Sequence, residues 1–353
     1  MLIWPDEVLA RPFGAASREW LLERYFGAQP PITPDDAWRH VYRLLLWIDR
    51  TTGLAHCYES DKSQAGRHWY ARSLAFHRWL SQEFSISPRN LTKEVDWLFK
   101  QATQVLALAE ATAAERREKR AQNQRKPYAA DDMPESGEYP ELEQEIGDLL
   151  VSHYGSAPPD KLLRAVVLRV RETLRVENKR KNLVGEGFED VLGTIISRVP
   201  GGAGWSVKQR TLLHELPGFR VPPGKEKPRR VDLTLIHAGG RRILATVKWS
   251  VRADREEQFG VDFDAYVRCE EWGKDFEFVF ITNEFDAGRL VNACDRRAAA
   301  AALFSGVIHV NPEGLLQVHK GDRSTARRMR DLIAAGRLQG LREWLSGLVS
   351  PTP

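Results

Sequence analysis

The stretch RVDLTLIHAGGRRILATVK, residues 230–248, decides the fold. Val231, Leu233 and Leu235 alternate with other residues, the period-two pattern of a strand with one face in a core. Gly239-Gly240 then supplies the backbone freedom of a tight turn, and an apolar run resumes. The pattern predicts a hairpin in which residues 230–238 pair with residues 241–248 in antiparallel fashion. Such pairing carries Asp232, near the start of one strand, and Lys248, at the end of the next, to the same end of the sheet. A carboxylate beside an ammonium reads in two ways. One is a plain ion pair across a hairpin. The other is phosphodiester hydrolysis, which needs a carboxylate to hold Mg²⁺ and a lysine to orient water and offset negative charge.

Working outward, residues 253–271 read as a helix, 276–282 as a nearly continuous apolar strand, 288–302 as a helix and 306–310 as a further strand. Before the hairpin, 187–199 read as a helix, 209–216 as an extended segment and 217–228 as a loop. Alternation of this kind predicts an α/β core with a central mixed sheet flanked by helices. A tail carrying Met329, Leu332, Ile333, Leu338, Leu341 and Trp344 reads as helical cover. The amino-terminal half reads as helical throughout. Thr33 caps a helix through Trp38, Val41, Leu44, Leu45 and Ile48, with Pro34 in its first turn. Two more helices are expected at 66–83 and 90–114. Residues 115–140 mix charge, Pro127, Pro134, Gly137 and Pro140, the composition of a linker. Helices at 139–154 and 159–175 follow, and the second closes on Asn178, Lys179, Arg180 and Lys181. The division expected is a helical region over 1–140, which clasps a partner or dimerises, and an α/β domain over 141–353.

Composition narrows the class. Charged residues at 28% and hydrophobic residues at 42% describe a folding, globular chain. No run of 18 apolar residues occurs, and the opening MLIWPDEVLARPF lacks the basic and apolar regions of a signal peptide, so a cytoplasmic protein is expected. Cys57, Cys269 and Cys294 form no Cys-x-x-Cys pair, which argues against structural zinc or a disulfide framework. The net charge of +4 permits a polyanionic partner without requiring one.

A divalent cation takes about six oxygen ligands, so Asp232 needs company. One source is the helix holding Glu186, Glu189 and Asp190, with Glu189 beside the apolar face. The other is the helix after Lys248, with Glu256, Glu257, Asp262 and Asp264. Trp249-Ser-Val-Arg252-Ala-Asp254-Arg255 follows the lysine directly. Arginine donates to guanine O6 and N7 and aspartate accepts from cytosine N4, so Arg252, Asp254 and Arg255 suit the reading of C·G pairs from the major groove. Lys227, Arg229 and Arg230 lead into Asp232 and suit phosphate contacts.

The hairpin aspartate together with Lys248-x3-Arg252-x-Asp254-Arg255 resembles the CCGG family of type II restriction endonucleases, a branch of the PD-(D/E)xK nucleases, over roughly residues 180–310. The resemblance implies a restriction-endonuclease-like core. Asp232 would be its central metal aspartate and Lys248 its catalytic lysine. Arg252, Asp254 and Arg255 would be base readers. A second acid, fourteen residues after the lysine, falls on Asp262, and a third, on an early helix, on Glu189. The familiar carboxylate two residues before the lysine is Thr246 here, an absence this branch shares. Glu257 and Asp264 compete with Asp262 for the second acid. The implied activity is Mg²⁺-dependent hydrolysis of double-stranded DNA at a palindrome containing CCGG, or CC/GG pairs around a short centre, leaving 5′-phosphates. The implied assembly is a homodimer or tetramer, with a companion DNA methyltransferase in the host. A less specific nuclease of the same superfamily and a catalytically inactive DNA-binding protein are the alternatives.

Overall fold

The computed structural model describes residues 4–49, 53–55, 68–124, 140–156, 158–199, 204–224, 226–251, 256–273, 275–321 and 324–349. It has a mixed α/β architecture in which a central six-stranded sheet is flanked by helices. The amino-terminal helices are α1 (Asp6–Ala10), α2 (Ala15–Gly27), α3 (Ala37–Leu45), α4 (His68–Glu83), α5 (Leu91–Glu94), α6 (Trp97–Gln124) and α7 (Pro140–Tyr154). Next come α8 (Asp160–Arg198), β1 (Trp205–Leu212), β2 (Arg230–His237), β3 (Arg242–Lys248), α9 (Gln258–Cys269), β4 (Glu277–Thr282) and α10 (Ala287–Asp295). The chain finishes through β5 (Arg297–Ala298), β6 (Ala301–Ala302), β7 (Gly306–His309), α11 (Pro312–Val318), α12 (Ser324–Ala334), β8 (Leu338–Gly340) and α13 (Leu341–Val349).

The sheet order is β1-β2-β3-β4-β7-β8, antiparallel from β1 to β3 and parallel from β3 to β8. The expected hairpin forms: Leu233 faces Ala245 and Ile236 faces Arg242. Gly240 takes φ +92° in the turn, a conformation that suits glycine. In β3 every residue but Lys248 is buried, as befits a strand covered on both faces. Lys248, Thr282, His309 and Gly340 stand in one register row, so the carboxyl ends of the four parallel strands finish level. Asp232 stands in the slot facing Thr246, at that same end. Crevices outside such strand ends are where open α/β sheets bind ligands.

One apolar core runs from Leu21, Tyr42, Leu45 and Phe76 through Phe188 and Ile195 to Leu233, Ile243, Phe280 and Leu345. The amino-terminal helices therefore pack directly on the layer that carries the sheet. Phe76 meets Phe285 edge-on at 4.8 Å, and Tyr42 donates its hydroxyl to Asn283 Oδ1 at 3.0 Å.

Several elements differ from expectation. The helices expected at 159–175 and 187–199 are one 39-residue helix, α8, about 58 Å long at 1.5 Å per residue. Its basic segment is not a helix end: Arg180 pairs with Asp96 and Glu177 and lies over the rings of Phe99 and Trp47. The helix after Thr33 begins only at Ala37, because residues 34–36 form a turn whose Asp36 carboxylate accepts from Thr33 N. The helix expected over 288–302 stops at Asp295, and Arg297–Ala302 closes a small hairpin around Ala299. The tail contains β8 as well as helices. Helix α6 continues to Gln124, and the rest of the expected linker, 125–139, lies outside the described residues. Among the described residues no helix is long and apolar enough to cross a membrane.

Candidate active site

Adjacent strands bring Asp232 and Lys248 together. Lys248 Nζ donates to Asp232 Oδ2 at 2.6 Å, Val247 N donates to the same oxygen at 2.9 Å, and the Thr246 hydroxyl does so at 3.3 Å. All three donors converge on Oδ2, and none of the described residues donates to Oδ1. Both side chains reach the surface, Lys248 at 38% and Asp232 at 20% exposure, so a substrate has access to the pair. Thr246 thus serves to orient the Asp232 carboxylate.

Two helices flank the pair with acids. From α8, Glu189 is pushed up to about 7, first by burial and then by the negative charge of Asp232, against the pull of Lys248 and Arg210. From α9, Asp262 is raised, first by burial; the Gln258 hydrogen bond and Arg229 oppose this, and Asp232 adds to it. Asp232 is thus felt at both flanking acids, and Lys248 is the ammonium facing all three carboxylates. Tyr266, one turn beyond Asp262, has its hydroxyl raised by burial and by the charges of Asp262 and Asp232. Burial and the neighbouring Asp232 charge both disfavour the ionised forms of these flanking acids, and perturbed titratable groups of this kind gather at functional sites. Asp264 and Glu257, the rivals of Asp262, are both exposed, and neither enters this charge cluster.

The acids already have partners. Glu189 Oε2 accepts from Arg210 at 3.1 Å. Asp262 Oδ1 accepts from Gln258 at 2.7 Å and from Arg229 at 3.2 Å. Each therefore keeps one oxygen outside these bonds. Among the described residues no three of His, Cys, Asp or Glu are drawn together into a ready metal cage. The donor chemistry still fits magnesium: hard carboxylate oxygens, too few for a full shell, with water and phosphate left to complete it.

The remaining expected residues divide. Lys227 and Arg230 are exposed on the approach to Asp232, while Arg229 turns inward to Asp262. Arg252, Asp254 and Arg255 lie outside the described residues. The described residues just before them are tied down: Val251 N donates to the buried Glu284 carboxylate at 2.8 Å, and Asn283 N donates to Trp249 O at 3.0 Å. Glu284 is 1% exposed, and its other partners are Asp286 N and Arg289. No sequence signal points to this bond, nor to Arg210 or Arg18: Arg210 lies inside a strand and Arg18 inside a helix, and neither residue type nor spacing marks them.

No protein-family model matches the chain, and no curated protein is significantly similar to it in sequence.

Proposed function

We propose that the protein is a Mg²⁺-dependent DNA endonuclease of the PD-(D/E)xK type, and specifically a type II restriction endonuclease reading a palindrome with CCGG or CC/GG pairs. The observation that carries this is the Lys248–Asp232 contact of 2.6 Å at the open end of the sheet, with Glu189 and Asp262 flanking it from two helices. The mixed sheet flanked by helices, with the lysine at the end of β3 and an acid on each of α8 and α9, is the general kind of core such an enzyme needs.

In this reading Asp232, Glu189 and Asp262 would hold Mg²⁺, which would supply Lewis-acid charge at the scissile phosphate and a water of lowered pKa. Lys248 donates to the attacking water and offsets the charge of the pentavalent phosphate. Thr246 and Val247 N fix Asp232 by occupying its inner oxygen. Lys227 and Arg230 contact phosphates on the way in, and Arg252, Asp254 and Arg255 read bases. A palindromic target calls for two copies related by a two-fold axis. Exposed Leu149, Tyr154, Leu162, Leu168 and Leu174 on α7 and the first half of α8 offer apolar surface for that pairing.

The test is incubation of the full chain with mixed-sequence plasmid DNA, with Mg²⁺ and with EDTA. Discrete fragments with 5′-phosphate ends, dependent on the metal, support the proposal. Diffuse digestion points to a less specific nuclease, and gel retardation without cutting points to a binding protein.

A further inference from the structure

Arg210 is the one residue in β1 with a left-handed backbone, φ +47°. The register pairs Gln209 with Leu233 and Thr211 with Val231, so Arg210 stands in the slot opposite Asp232 while its own pairing is missing. Arginine pays a steric penalty there that glycine does not, and strain of this kind gathers where a side chain must be aimed. The aim is clear. Its guanidinium donates to Glu189 Oε2 at 3.1 Å, to Asp190 Oδ1 and to the Glu186 carbonyl at 3.4 Å. Asp190 Oδ2 in turn accepts from Arg18 Nε at 2.6 Å, and Arg18 also pairs with Glu186 at 2.7 Å. Arg18 belongs to α2 and is 2% exposed. The result is an alternating chain, Glu189, Arg210, Asp190, Arg18, Glu186, that joins the amino-terminal helices to the acid beside Asp232.

We propose that Arg210 is a positioning residue: clamped on Asp190, it fixes Oε2 of Glu189 and so presents the other oxygen to the Asp232–Lys248 pair. This rests on the endonuclease reading above. Asp190 and Arg18 form the fixed end of the clamp, because Asp190 is 6% exposed and takes an arginine on each oxygen. Glu189 is the working end, with one oxygen tied and one outside the clamp. Without the guanidinium, Glu189 would adopt other rotamers or turn toward solvent, and the cation would lose a preset ligand.

The backbone strain makes the test selective. Glycine and asparagine both accept a left-handed conformation, so Arg210→Gly and Arg210→Asn remove the guanidinium while relaxing the chain. For both variants we expect kcat for DNA cleavage to fall at least tenfold, KM for DNA to stay within threefold, and half-saturating Mn²⁺ to rise severalfold. Calorimetric titration with Mn²⁺ in the absence of DNA should show the same weakening. If Arg210 acts through Glu189, adding Arg210→Asn to a Glu189→Gln background should change kcat less than twofold. Wild-type kcat and Mn²⁺ affinity in either variant would reduce Arg210 to a fold brace and overturn the proposal. A raised KM with unchanged kcat would also overturn it, by making Arg210 a DNA contact. Should Arg210→Gly fail to fold, the Arg210→Asn and Glu189→Gln cycle decides alone. A wild-type chain that cuts no DNA with either metal removes the endonuclease reading and this proposal together. A cutting wild type with indifferent variants removes only the latter.

Discussion

Lys248 Nζ lies 2.6 Å from Asp232 Oδ2, a contact across neighbouring antiparallel strands between residues sixteen positions apart in the chain. An ion pair this exposed contributes little to stability, on the order of 0–1 kcal/mol. Lys248→Ala should therefore leave the melting temperature nearly unchanged. If the lysine offsets charge at the reacting phosphate, the same substitution lowers cleavage by about a hundredfold or more while DNA retardation persists. A paired measurement of melting and cleavage checks this. Cleavage at the wild-type rate by Lys248→Ala would place the chemistry elsewhere.

Thr246 makes a finer prediction. Its hydroxyl is one of three donors on Asp232 Oδ2, at the longest distance of the three. Removing one neutral hydrogen bond is worth about 1 kcal/mol, or roughly fivefold. If Asp232 holds Mg²⁺ as proposed, Thr246→Val should raise half-saturating Mg²⁺ by about that factor and leave kcat at saturating metal close to wild type. A kcat that collapses even at high Mg²⁺ would give Thr246 a larger part than orienting the aspartate.

The hairpin was legible because period-two alternation and a Gly-Gly turn leave one register that buries Leu233 and Leu235 together. That register alone put Asp232 beside Lys248. The continuity of α8 was not legible, since Gly185, Gly187 and the charged run 177–181 look like a break. Gly187 has another purpose: a Cβ there would sit 3.2 Å from Leu98 and 3.3 Å from Leu45, so its smallness lets α8 pack against α3 and α6. The alanine run 298–302 has high helix propensity, yet it forms a hairpin. Leu303 and Phe304 must drop into the core beside Phe278 and Phe280, and Ala299 makes the turn with φ +50°. Arg210 was hidden for the same kind of reason, because a backbone conformation imposed by tertiary contacts leaves no mark on residue type.

His309 ties stability to acid. It is fully buried at the end of β7, and burial pushes its imidazole down to about 3, with the nearby His319 adding to the effect and bonds involving Asn311 and Glu284 opposing it. Below its ordinary value of 6.5 the unfolded chain takes up a proton that the folded chain refuses, so this contribution is whole above pH 6.5 and is lost as pH falls toward 3. At pH 5 the loss amounts to about 2 kcal/mol. His309→Asn keeps an acceptor for the Asn311 N–H. Urea unfolding at pH 7 and pH 5 should show a drop about 2 kcal/mol smaller in that variant than in the wild type. An equal drop in both would assign the acid sensitivity to other groups.

Glu284 braces the chain just beyond β3. Its carboxylate, 1% exposed, accepts from Val251 N at 2.8 Å, from Asp286 N at 2.8 Å and from Arg289 at 3.3 Å. Burial raises it, and these donors hold it against that rise. Glu284→Gln turns one acceptor into an amide that faces a backbone N–H or the guanidinium, at a cost of about 2 kcal/mol for a buried charged hydrogen bond. Val251 is three residues beyond Lys248 and leads into residues 252–255; if those residues read bases as proposed, the variant should also blur target choice, with cutting of plasmid DNA at secondary sites rising relative to the main site. Arg289→Gln leaves both backbone bonds in place, so it should destabilise less and keep the wild-type fragment pattern. Unfolding curves and fragment patterns of the two variants, run side by side, separate the brace from its arginine. Identical behaviour of the two would mean that the Val251 bond has no special part in holding the strand exit.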